Sequence, residues 1–84
     1  MEFPHPVYET TWRNFQHQVG DGWWPDKFIV GMFWLLVAGL GEEHDATREA
    51  FRLLTQHRPQ VTQEVLAKIR ETYPESVRRR LGYI

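Results

Sequence analysis

The sequence predicts an all-α protein, a small bundle of four to five helices around a central apolar helix at about residues 26-38. Three observations carry that prediction. Apolar residues recur at three- and four-residue spacing through most of the chain, no stretch alternates apolar and polar residues long enough to make a strand, and glycine and proline cut the chain into helix-length pieces. Residues 1-84 read as a single helical domain with an extended N-terminal arm over 1-8.

The arm contains Pro4 and Pro6 and has no helical periodicity. Thr10 or Thr11 is the expected cap of a first helix, in which Trp12, Phe15 and Val19 fall on one stripe and Gly20 supplies the stop. Gly20, Asp21 and Gly22 form a tight turn. Trp23 and Trp24 then lead into Pro25, which suits the first position of a helix.

The second helix is expected from Pro25 or Asp26 to Ala38, with Gly39 and Gly41 ending it. Its interior is apolar on every side, the pattern of a helix buried by neighbours. Glu42, Glu43 and Asp45 suit the positive end of a third helix, with Asp45 as its cap. That helix runs to about His57, and Ala46, Ala50, Leu53, Leu54 and His57 share its inner face.

Arg58, Pro59 and Gln60 form the next break, after which Thr62 caps a fourth helix. Val61, Val65, Leu66, Ile69 and Tyr73 trace its apolar stripe, and Pro74 ends it. A last short helix, Glu75 to Leu81, places Val77 and Leu81 together and stops at Gly82.

Composition narrows the function classes. Twelve of the 84 residues are Phe, Trp or Tyr, four of them Trp, enough large rings to build a core in a short chain. There is no cysteine, so no disulfide and no thiolate metal site, and a cytoplasmic setting is the simplest fit. The start of the chain has neither a basic nor an apolar signal region. The apolar run from Phe28 to Leu40 would reach about 20 Å as a helix, short of a hydrocarbon core of about 30 Å, so no membrane span is expected.

Metal and enzyme chemistry find little footing. His5, His17, His44 and His57 include no pair three or four residues apart, so no metal site is expected. Glu42, Glu43, His44 and Asp45 are neighbours that point in different directions on a helix, and His57 reads as a boundary residue bonded to a backbone carbonyl. No phosphate-binding glycine loop or nucleophile elbow occurs, and no cofactor is implied.

Charge is uneven, with seven acids and two bases over residues 1-45 against four acids and eight bases over 46-84. Such a split marks either a binding face or two halves that attract each other. The third and fourth helices with Arg78, Arg79 and Arg80 admit a helix-turn-helix-like nucleic-acid-binding domain as the alternative reading. Glu64 and Glu71 on the would-be recognition helix oppose phosphate and weaken it.

The apolar excess points elsewhere. An all-apolar second helix and four tryptophans sit in a chain with few other helices to cover them: either those helices wrap the second completely, or part of its surface lies exposed, and exposed apolar patches mark interfaces. The expectation is a small non-enzymatic protein-protein interaction module, a regulator, inhibitor or assembly factor, whose partner is another protein or its own copy. Trp23 and Trp24 are the expected anchors, with Arg78, Arg79 and Arg80 as the charged contacts.

Overall fold

The computed structural model describes residues 2–21 and 23–83. Among them are five helices and no strand: α1 (Pro6–Gln18), α2 (Asp26–Leu40), α3 (Asp45–His57), α4 (Pro59–Thr72) and α5 (Glu75–Leu81). Gly22, part of the expected turn, lies outside the described residues, as does the Leu81 side chain expected beside Val77.

α1 begins earlier than Thr10 because Pro6 takes the first helical position, where a residue without an N–H loses nothing. His5 is the cap in place of a threonine, extended at φ −151°, its Nδ1 accepting from the Val7 N–H at 3.1 Å. The extended arm is therefore shorter than 1-8. Thr11 lies inside the helix, its hydroxyl donating to the Val7 carbonyl at 2.8 Å.

α2 runs two residues past Ala38, through Gly39, and ends at Gly41 with φ 86°. Gly39 serves close approach and not termination, since a Cβ built there would fall 2.0 Å from the Tyr8 ring. The N-terminal end of α1 thus lies on the C-terminal end of α2. α3 keeps its expected span, but His44 is its cap: Nδ1 accepts from the Ala46 N–H at 3.0 Å, and Nε2–H donates to the Glu2 carbonyl at 2.6 Å. Asp45 is instead the first helical residue, where its charge faces the helix dipole.

Only Arg58 separates α3 from α4, which starts at Pro59, so Thr62 sits within the first turn and does not cap it. Pro74 ends α4 and leads into α5, whose stop, Gly82, adopts the left-handed conformation at φ 84° and donates to Arg78 and Arg79 carbonyls.

Packing follows the apolar faces. Phe15 from α1 and Val19 just after it, Ile29, Phe33 and Leu36 from α2, Ala46, Ala50 and Leu54 from α3, and Val65 and Ile69 from α4 form one buried cluster. Tyr83, only 2 % exposed, folds back over it with its ring edge-on to Phe51 at 5.0 Å and its hydroxyl donating to the Glu42 carbonyl at 2.7 Å. Burial raises its ionisation well above the ordinary phenol range.

The molecule measures 33 × 30 × 16 Å. Helices pack about 8–10 Å apart, so the short dimension holds two layers. α2 packs against α1, α3 and α4 but cannot be enclosed within two layers, and the side facing away from its core residues stays open.

Candidate functional site

The functional geometry begins with a loop that has carbonyls to satisfy. The chain passes from α1 to α2 between Gln18 and Asp26, and backbone polar groups removed from water need partners. Arg58 supplies them from the α3–α4 junction. Its guanidinium is buried, with the side chain 7 % exposed, and it donates through Nε to the Val19 carbonyl at 2.9 Å. Nη1 donates to the Trp24 carbonyl and to Asp26 Oδ1, both at 2.7 Å, while Nη2 donates to the Asp21 and Gln18 carbonyls at 2.6 and 3.3 Å.

One side chain thus ties both ends of the loop to a junction more than thirty residues away in sequence. Hydrogen bonds from Arg58 and then from Gln60 hold the Asp26 carboxyl below its ordinary ionisation range, outweighing the opposite push of partial burial. Asp21 turns the loop from within, its side chain accepting from the Trp23 N–H at 2.9 Å.

What the clamped loop presents is aromatic. Trp23 is 79 % exposed and lies edge-on to Trp24 at 5.8 Å; Trp24 is half-buried and lies edge-on to Phe28 at 6.0 Å. Lys27 Nζ sits over the Phe28 ring at 5.4 Å. Phe28 is 50 % exposed and Leu35 45 %. The apolar surface therefore starts at Trp23 and continues along the open side of α2 through Phe28, Gly31, Leu35 and Ala38. A groove of about 400 Å³ flanks it, lined by Lys27, Val30, Trp34, Val61 and Glu64 among others.

The two expected anchors are brought together, with unequal exposure. The three C-terminal arginines lie on α5 and point to different partners within the chain. Arg78 donates to the Tyr73 carbonyl at 3.2 Å, Arg79 pairs with Glu75 at 2.7 Å, and Arg80 pairs with Glu43 at 2.8 Å. Arg80–Glu43 and Arg58–Asp26 join the basic and acidic halves of the sequence directly.

The histidines have separate uses. His5 and His44 cap helices, and His57, exposed at the C-terminal end of α3, lies with its ring against Gly20. Among the described residues no group of three or more His, Asp or Glu side chains could hold a metal ion, and no helix is long and apolar enough to cross a membrane. The single-residue link between α3 and α4 replaces the expected break and is shorter than the three- to four-residue turn of a helix-turn-helix.

Arg58 is the residue that sequence reasoning missed. Its signal was faint: an arginine at a helix junction, and a glycine-rich loop elsewhere whose carbonyls lacked donors. Comparison with protein-family models, with curated proteins and with solved structures finds no match to this chain.

Proposed function

We propose that the protein is a small non-enzymatic protein-binding module that docks through the surface running from Trp23 along the open side of α2. The observation that carries this reading is the indole of Trp23, 79 % exposed on a loop that Arg58 holds in place. Tryptophan at the centre of an interface is a frequent hot spot, and a pre-ordered loop gives up little conformational freedom on binding. Trp24 and Phe28 stand beside it and widen the apolar contact. Arg79 and Arg80 keep exposed faces that steer an acidic partner towards the molecule, a role for rim charges in on-rate more than in affinity.

The test is affinity capture from lysate of the source organism in the presence of nuclease, with the wild type and Trp23→Ala compared side by side. Trp23 contributes little to the core, so the variant keeps its helical circular dichroism. A bound protein retained by the wild type and weakened by about 2 kcal/mol or more, roughly thirtyfold, in the variant supports the reading. Equal retention by both refutes it.

A further inference from the structure

The open side of α2 has an internal symmetry. Phe28, Gly31, Leu35 and Ala38 repeat at spacings of three, four and three residues, which places them on one face of the helix, opposite Ile29, Phe33 and Leu36 in the core. The sizes run large, small, large, small. Turned end over end about the midpoint between Gly31 and Leu35, the row becomes its own complement: Phe28 meets Ala38, and Gly31 meets Leu35. Gly31 has nothing within 4 Å of where a Cβ would be, so a knob from outside can occupy that place.

Charge follows the same operation. Lys27 stands at the N-terminal end of the row and pairs with no carboxylate among the described residues, while Glu43, 64 % exposed in its pair with Arg80, and Glu42, bonded to Tyr73, follow its C-terminal end. An antiparallel partner brings the Lys27 end of one helix against the Glu42 and Glu43 end of the other, and sets opposite helix-dipole ends together.

We infer that this face is the seam of a two-fold dimer in which α2 packs antiparallel on α2 of a second copy, with Phe28 seated on Ala38 and Leu35 seated on Gly31. A two-fold contact must be self-complementary; the alternation of sizes meets that requirement, and the unpaired Lys27 adds its charge at the exposed Glu43–Arg80 pair of the other copy. It rests on the docking reading of the same surface and assigns the occupant of its helical part, leaving Trp23 beyond the end of the seam. A seam on one helix about 22 Å long is smaller than the roughly 800 Å² per partner of a standard interface, so the dimer dissociates in the micromolar range.

Sedimentation equilibrium on the full chain, from sub-micromolar to millimolar, tests it with three proteins. The wild type moves from the 10.1 kDa monomer to twice that mass as concentration rises. Gly31→Leu, at a position open to solvent, folds but places Leu against Leu35 of the partner and stays monomeric at the highest concentration. The exchange Gly31→Leu with Leu35→Gly restores large against small across the axis, keeps the helix composition constant and recovers dimerisation to within about tenfold of wild type. A wild type that remains monomeric at millimolar concentration overturns the dimer, as does a doubly substituted chain no more associated than Gly31→Leu. Capture by Trp23→Ala, measured separately, distinguishes this failure from failure of the docking reading, because a monomer that still loses its partner with Trp23 sinks the dimer alone.

Discussion

Replacing Arg58 with alanine removes the donor for four backbone carbonyls and one carboxylate in a single step. Charge-assisted hydrogen bonds are worth about 1.5–3 kcal/mol each, but they share one side chain, and the carbonyls of an opened loop regain water. The desolvation cost of the guanidinium is also recovered. Only the arginine of the ion pair is buried, the Asp26 side chain being 38 % exposed, so the loss comes mainly from the stranded carbonyls and we expect Arg58→Ala to cost about 3 kcal/mol. At about 0.05–0.15 kcal/mol per residue, a chain of this length has roughly 4–13 kcal/mol in total, so the loss is a large share. The melting temperature should drop by about 12 °C or more. Arg58→Lys keeps the charge beside Asp26 but has three donors on one nitrogen and cannot span from Val19 to Trp24; its loss should be about 2 kcal/mol. Urea unfolding followed by far-ultraviolet circular dichroism measures both. An Arg58→Ala midpoint within about 1 kcal/mol of the wild type would refute the clamp.

Three further outcomes follow from particular side chains. The Thr47 hydroxyl is buried without a hydrogen-bond partner among the described residues, so Thr47→Val, which keeps the shape and drops the unsatisfied oxygen, should stabilise by about 1 kcal/mol in the same urea assay. Tyr83→Phe strands the Glu42 carbonyl and should cost about 1 kcal/mol, whereas Tyr83→Ala also opens a cavity over Phe51 and should cost about 3–5 kcal/mol; equal losses would show that the hydroxyl rather than the ring carries the contact. Arg58 and then Gln60 hold the Asp26 carboxyl below its ordinary range in the folded protein, so its contribution is present above about pH 4 and is lost as pH falls through the folded value; urea midpoints at about pH 3 and about pH 6 should differ less in Asp26→Asn than in the wild type.

The sequence was most readable where one chain segment decides its own structure. α5 keeps the expected Glu75 and Leu81 bounds because Pro74 and Gly82 punctuate it locally, and α4 buries Val65, Leu66 and Ile69 from the stripe that periodicity alone predicts. Helix starts were less readable. A histidine accepting through Nδ1 does what a threonine or aspartate would do at a cap, and His5 and His44 hold positions that threonine and aspartate more often take. The loop clamp was hidden for another reason: Arg58 lies 32 to 40 residues from the groups it binds, and nothing in local spacing joins them. Tyr83 and Glu42 are 41 residues apart and were equally invisible. The unequal exposure of Trp23 and Trp24 was not legible, since an apolar residue before a helix packs inward or outward according to how many layers surround it.

The clamp and the exposed indole belong to one physical arrangement. A tryptophan in water forgoes a stabilising burial of about 2–3 kcal/mol, and a slack loop would recover some of it by folding the ring onto the nearest apolar surface. Arg58 prevents that collapse, because the carbonyls on either side of Trp23, those of Asp21 and Trp24, are both fixed to the same guanidinium. The ring is held outward by polar bonds, while the apolar core holds the helices. Stability and display therefore separate at this site: Trp23→Ala should remove binding with little change in unfolding, and Arg58→Lys, where the fold survives, should weaken binding through an intact indole. If Arg58→Lys lowers stability by its expected amount yet binds the captured partner as the wild type does, the loop does not need the clamp to present Trp23, and the arginine is there for the fold alone.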